Sequence, residues 1–274
     1  VALDVSIGQY FEGRSPIHKL DPRMKIIIAL LYIVIIFTAK NIFSFVLLLL
    51  SVILLTALSG IPPKVFVKGM KPILMIVTLT AVLNIFWIKG ETILVDWWIF
   101  HIYLEGVVNG IMLVMRIVIL LFGTSVFLTY TTTPIDLTDA IERLLAPLKK
   151  IRLPVHEFSM IMTIALRFIP TLIEETDKIM NAQKARGADF ATGKLRDRAK
   201  ALIPVLIPLF VSAFRRAEEL AVAMECRCYR GGDGRTKMTI LTLRKRDCVF
   251  LFAMVAFGVS VICVNLFAPG YALI

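Results

Sequence analysis

Five apolar runs, at residues 24–39, 42–59, 73–88, 107–130 and 249–268, decide what this chain can fold into. In hydrocarbon every backbone N–H and C=O needs a partner within the protein, so such runs become helices or parts of a closed barrel. A spanning helix takes roughly 20 apolar residues, with a range of about 17–25. The last two runs reach that length alone. The first three are completed by flanking Lys25, Lys40, Lys71 and Lys89, whose long stems reach the interface. Trp87, Trp97, Trp98 and Tyr103 gather between the third and fourth runs, as an interfacial aromatic belt does. Apolar residues make up 58% of the chain and charged ones 19%, whereas a soluble domain has about 45–50% and about 25%. That balance excludes a disordered or collagen-like chain and argues against a soluble enzyme. No short apolar run with a small-residue cleavage site comes before the first span, so no cleaved leader is expected, and the start at Val1 instead of Met points to trimming.

The formal net charge is +11, and its placement orients the chain. With the N-terminus inside and the five runs crossing in order, 28 of the 31 basic residues fall on the cytoplasmic side. They are Arg14, Lys19, Arg23 and Lys25, then Lys64, Lys68 and Lys71, then those of the segment 131–246. Lys40 and Lys89 lie outside, and Arg116 sits within the fourth run. This positive-inside asymmetry puts the C-terminus outside. Two further segments, 158–173 and 201–214, could be mistaken for spans. Crossing would export Lys178, Lys184, Arg186, Lys194, Arg196, Arg198 and Lys200, and Pro204 and Pro208 break up the second segment. Both are therefore expected on the cytoplasmic side. The basic charge sets orientation and suits an anionic leaflet; it implies no nucleic-acid partner.

From Pro134 the pattern turns from continuous apolarity to a helical period. Pro134 suits a first turn with Thr133 as cap, and Ile135, Ile141, Leu144, Leu145 and Leu148 mark one face. A second helix after Pro154 repeats apolar residues at 158, 161, 162, 165, 166, 169, 172 and 173 and stops at Gly187. A third runs to about Tyr229. The last two are each about 30 residues, roughly 45 Å long, and Pro170, Pro204 and Pro208 are their hinge candidates. Each ends near an Arg, Arg186 and Arg227, 41 residues apart. A cation there gains about 0.3–1 kcal/mol from the helix dipole. Two at matched ends also suit anchoring, because a guanidinium offers a planar fork to a carboxylate or carbonyl in a partner. The expected regions are a cytoplasmic segment 1–24, a four-helix membrane region 25–130, coupling helices 131–245, and a last span with its tail, 246–274.

Other chemistries find little support. Cys226, Cys228, Cys248 and Cys263 read as free thiols in a reducing compartment, since zinc needs four ligands and no His is nearby. No metal or cofactor is expected. His18, His101 and His156 are scattered, and no His-Glu-x-x-His or Gly-x-Ser-x-Gly occurs. Gly231-Gly232-Asp233-Gly234 lacks the Gly-Lys-Ser/Thr of a phosphate loop, so the chain is not expected to hydrolyse ATP itself. A self-sufficient secondary transporter would need ionisable groups at the membrane midplane, where only Arg116 lies, with Asn84 and Asn109 as lesser polar groups.

Leu20-Asp21-Pro22-Arg23-x-Lys25 lies at the mouth of the first membrane helix, and Ala185-Arg186-Gly187 and Cys226-Arg227-Cys228 close two long helices. In this order, along essentially the whole chain, they resemble the transmembrane T component of energy-coupling factor (ECF) vitamin and metal-ion transporters. The resemblance implies an all-α polytopic membrane protein with about five transmembrane helices plus a cytoplasmic module of three amphipathic helices. It implies a coupling subunit of an ATP-driven vitamin importer in the cytoplasmic membrane, not catalytic itself. Two cytoplasmic ATPase subunits would dock on Ala185, Arg186 and Gly187 and on Cys226, Arg227 and Cys228. A membrane-embedded S component would bind the substrate. The second motif departs from Ala-Arg-Gly on both sides of its Arg, and small-residue clearance is the expected reason that flanking thiols serve.

Overall fold

The structure, a computed structural model, describes residues 10–13, 15–87, 93–97, 100–151, 154–188, 190, 195–231 and 241–267. Arg14, Lys89, Trp98, Lys194, Gly232, Asp233 and Gly234, all weighed above, lie outside the described residues. Eight α-helices are described: α1 (Pro22–Thr38), α2 (Ile42–Ser59), α3 (Pro63–Trp87), α4 (Leu104–Thr124), α5 (Pro134–Leu144), α6 (Val155–Ala185), α7 (Leu195–Cys226) and α8 (Lys245–Phe267). A π-helical turn, Ser125–Tyr130, prolongs α4, and a 3-10 turn, Ala146–Ile151, follows α5. The chain is an all-α polytopic membrane protein.

Two features depart from the sequence-based expectations. A short antiparallel hairpin, β1 (Ile93–Trp97) with β2 (Phe100–Tyr103), joins α3 to α4, with Ile93 opposite Tyr103 and Trp97 opposite Phe100. Four described helical stretches are long and apolar enough to cross a membrane: α2, α4 with its π-helical turn, α6 and α8. α1 has 17 residues, and the apolar part of α3 is Ile73–Trp87. α6 qualifies because length and average hydropathy ignore where the polar residues fall; its charged side chains return at helical spacing, the mark of an amphipathic helix.

The chain divides into two compact units, one of Gly8–Ala140 with Ile240–Ile274 and the other of Ile141–Thr239 with Val1–Ile7. The first is organised around α1, which packs against α4, the π-helical turn and α8, while α3 lies along α4. Its buried core includes Met24, Ile28, Tyr32, Ile35 and Ile36 from α1, Leu48 and Val52 from α2, Ile119 from α4, Phe127 from the π-helical turn and Val261 from α8. The other faces of the same helices leave Leu30, Val34, Phe37, Leu50, Ile53, Phe252 and Val259 exposed, as lipid-facing residues are. Association in lipid depends on close packing and interhelical polar contacts, because the apolar solvent gives helices no hydrophobic reason to pair. Both are present. A Cβ on Gly123 would overlap the Tyr32 ring, and one on Gly258 would stand 3.1 Å from Ile35. The Tyr32 hydroxyl hydrogen-bonds Ser51 Oγ on α2 at 3.1 Å, and its ring meets Phe127 edge-on at 6.3 Å.

Polar clamps close this bundle at both ends. At one, Asn265 Nδ2 on α8 donates to Thr38 O (2.8 Å), and its Oδ1 accepts from Ser44 Oγ (2.8 Å) and Lys40 N (3.3 Å). At the other, buried Asp247 accepts Asp21 N (3.0 Å) and Arg244 N (2.7 Å). Arg116, the one cation deep in the fourth apolar run, donates from a terminal nitrogen to Ala39 O (3.0 Å) at the carboxyl end of α1, with its guanidinium 5.4 Å from the Phe45 ring centroid. Gly123→Val should force Tyr32 from its seat and cost about 1–3 kcal/mol. A lowered melting temperature of the detergent-solubilised protein is the expected readout; an unchanged one would contradict the close approach of α1 and α4.

Candidate functional site

α6 and α7 form an antiparallel pair, and their cross-helix bonds set its register. Gln183 Nε2 donates to Pro204 O (3.4 Å), while Glu175 accepts Ser212 Oγ (2.5 Å) on one oxygen and Arg216 (2.9 Å) on the other. Eight residues back along α6 answer to eight forward along α7, as antiparallel neighbours require. The first contact has a backbone cause. Pro208 has no N–H to give the carbonyl four residues earlier, which is that of Pro204, and Gln183 supplies the missing donor. Donation by Ser212, and then by Arg216, holds the Glu175 carboxyl below the usual carboxylate range. His156 Nδ1 and Glu142 Oε1, 3.1 Å apart, tie α5 to the start of α6. Pro170, Pro204 and Pro208 lie inside continuous helices.

This register carries the two arginines to opposite ends of the pair. Arg186 lies 11 residues beyond Glu175 along α6, and Arg227 lies 15 beyond Ser212 along α7, about 16 Å and about 22 Å in opposed directions. Ala185, Arg186, Gly187, Cys226, Arg227 and Cys228 are all exposed, and neither Arg186 nor Arg227 has an ion-pair partner among the described residues.

Both ends share one backbone design. Gly187 N donates to Lys184 O (2.9 Å) and Ala188 N to Gln183 O (3.0 Å); Cys228 N donates to Glu225 O (2.8 Å) and Tyr229 N to Met224 O (3.0 Å). These are paired Schellman motifs, with the Arg as last helical cap and the next residue left-handed: Gly187 at φ 89° and Cys228 at φ 54°. The third motif position is therefore a conformational requirement. Within this chain nothing lies within 4 Å of a Cβ built on Gly187, so the requirement seen here is one of backbone conformation. At Cys228 the chain carries a side chain in a conformation that residues other than Gly, Asn and Asp seldom adopt.

The amino-terminal motif sits in the other unit and does different work. Leu20 is buried in the core. Asp21 caps α1 by accepting Arg23 N (2.9 Å), and Pro22 opens the helix, where its missing N–H is harmless. Arg23 pairs with Asp21 at 2.9 Å and donates to Leu241 O (3.0 Å). Lys25 is buried, its Nζ donating to Thr131 O (2.6 Å) and His18 O (3.2 Å). The motif thus fastens α1 to the approach to α8 and to the end of the π-helical turn. Sequence reasoning missed Gln183, Ser212 and Asn265; the doubled proline of α7 was the available signal for the first, since it announces an orphaned carbonyl.

The chain as a whole has known relatives. A family model described as "CbiQ: Cobalt transport protein" matches residues 13–238. The chain is 52% identical over 259 residues to the energy-coupling factor transporter transmembrane protein EcfT of Ruminiclostridium cellulolyticum, covering 94% of this chain and 96% of that one. It is similar to the proteins of that name in Clostridium kluyveri, at 51% with 94% and 96% covered, and Bacillus subtilis, at 49% with 91% and 94% covered.

A left-handed conformation costs a residue with a Cβ about 1–2 kcal/mol. Cys228→Gly is therefore expected to increase amide-exchange protection in the last turn of α7, and Gly187→Val to decrease it in the last turn of α6. Equal protection in both variants and the parent would contradict the Schellman assignment.

Proposed function

The chain belongs to the CbiQ family, as an energy-coupling factor transporter transmembrane protein, and on that premise we propose that it couples cytoplasmic ATPase subunits to a substrate-binding S component in an ATP-driven vitamin importer. One observation carries the reading: two chemically alike arginines, without an ion-pair partner among the described residues, cap matching helix ends that the α6–α7 register sends in opposite directions. Each end offers a fixed fork to a separate ATPase subunit, with Ala185, Arg186 and Gly187 at one and Cys226, Arg227 and Cys228 at the other. An exposed apolar strip on α7, including Leu202, Ile203, Leu206, Ile207, Phe210 and Phe214, suits contact with the membrane-embedded S component. Segment 131–245 is then the cytoplasmic coupling module, with the N-terminus inside, the C-terminus outside, and spans from 25–130 and 246–274.

Mechanically, ATP-driven closure of the two ATPase subunits moves the Arg-bearing ends, and the α7 strip passes that motion to the S component. Coupling of this kind requires contacts with both partners that differ between states. Pro170, Pro204 and Pro208 are where the helices bend most readily under such a load, since each removes a backbone hydrogen bond. The alternative of a self-sufficient secondary transporter loses its main residue, because Arg116 is engaged at the end of α1. The substrate pocket belongs to the S component, which sets the transported vitamin.

Charge reversal tests the proposal. Arg186→Glu or Arg227→Glu should abolish ATPase co-purification and vitamin uptake while membrane insertion persists. Normal uptake and co-purification by the double variant would overturn the docking assignment.

A further inference from the structure

A second built feature stands apart from the Arg-bearing ends. Where α1 and α8 begin side by side, a cavity of about 320 Å³ is lined by Lys19, Asp21, Pro22, Thr242, Arg244 and Asp247 among others. A water molecule takes about 30 Å³ of liquid, so this space is sized for a larger polar group. Both carboxylates in its wall are already committed. Asp247 accepts two backbone N–H groups, and Asp21 is held by Arg23 through two guanidinium bonds, of 3.1 and 2.9 Å. The two cations are not: Lys19 and Arg244 are exposed and have no ion-pair partner among the described residues. Thr242 adds a hydroxyl, and exposed Lys245 and Arg246 follow directly in sequence.

Position along the helices fixes the depth of the cavity relative to the bilayer. Exposed Ile27 lies five residues into α1 after Pro22, about 8 Å along the axis, and exposed Val249 and Phe252 follow Asp247 on α8. Lipid-facing surface therefore starts within about two turns of the cavity, which puts its mouth at headgroup level. Juxtamembrane cations are drawn to an anionic surface, and basic pockets between membrane helices bind anionic headgroups for the same reason.

We propose that this cavity is a binding site for an anionic phosphate group, that of a lipid headgroup, held by Lys19 and Arg244 and aided by the Thr242 hydroxyl. The bound headgroup bridges the start of α1 and the approach to α8, the two segments that Asp247 and Arg23 already join. The site is independent of ATPase docking, since it lies in the membrane unit and uses neither Arg186 nor Arg227.

The full chain, purified in neutral detergent and stripped of lipid, is titrated with dioleoylphosphatidylglycerol or dioleoylphosphatidylcholine and read by native mass spectrometry. The anionic lipid should bind about tenfold more tightly. Lys19→Gln combined with Arg244→Gln should erase that preference, whereas Lys19→Arg combined with Arg244→Lys should keep it. Both side chains are exposed, so the lipid-free melting temperature of the Gln pair should match the parent and separate lost binding from lost folding. Competition by inorganic phosphate that depends on the same two residues would support the phosphate site and assign it to the free ion as well as to lipid. Equal binding of the two lipids by the parent, or an unchanged preference in the Gln pair, would overturn the proposal.

Discussion

Asp247 joins the start of the first helix to the start of the last. Buried at the start of α8, it accepts the backbone N–H of Asp21 and that of Arg244, so one carboxylate satisfies two donors from segments more than 220 residues apart in sequence. An unsatisfied buried donor costs about 1–3 kcal/mol, and this carboxylate spares both amides that cost. The amino-terminal segment thus has a structural reason to meet the last helix before α1 begins. Everything packed on α1 inherits that placement: Tyr32 against Gly123, Ile35 against Gly258, and Asn265 closing the far end.

This arrangement explains why a string of polar residues stands at the mouth of a membrane helix. Each member satisfies a different orphan. Asp21 takes a helix N–H, Pro22 removes one, Arg23 reaches the carbonyl of Leu241, and Lys25 crosses to the carbonyl of Thr131. Lys25 is the least obvious. A buried ammonium needs acceptors at once, and the π-helical turn ends where Thr131 O can provide one. Arg116 does the same for the carboxyl end of α1. Charges that look like candidates for transport chemistry in the sequence are here completing the backbone hydrogen bonding of helices.

Most of the architecture was legible because hydrophobic runs and helical periods are local signals. The runs at 42–59, 107–130 and 249–268 correspond closely to α2, α4 with its π-helical turn, and α8, and the three-residue and four-residue spacing of apolar positions located α6. The hairpin of β1 and β2 escaped notice because its few residues sit among aromatics that also suit a membrane interface. What the sequence does not display is pairing at a distance. Glu175 with Ser212, Gln183 with Pro204, and Asn265 with Ser44 each join residues that no periodicity relates. The Arg motifs were visible as tripeptides, but their third position acquires its meaning only from the left-handed backbone at Gly187 and Cys228.

The contact of Glu175 with Ser212 also has a geometric consequence. It divides the paired helices unevenly, leaving 11 residues to Arg186 on one side and 15 to Arg227 on the other. Treated as a fulcrum, it gives the two tips unequal leverage: the same angular swing carries the α7 tip about a third farther than the α6 tip, at a constant rise of about 1.5 Å per residue. Two ends built on one chemical pattern therefore stand at unequal distances from the contact that joins their helices.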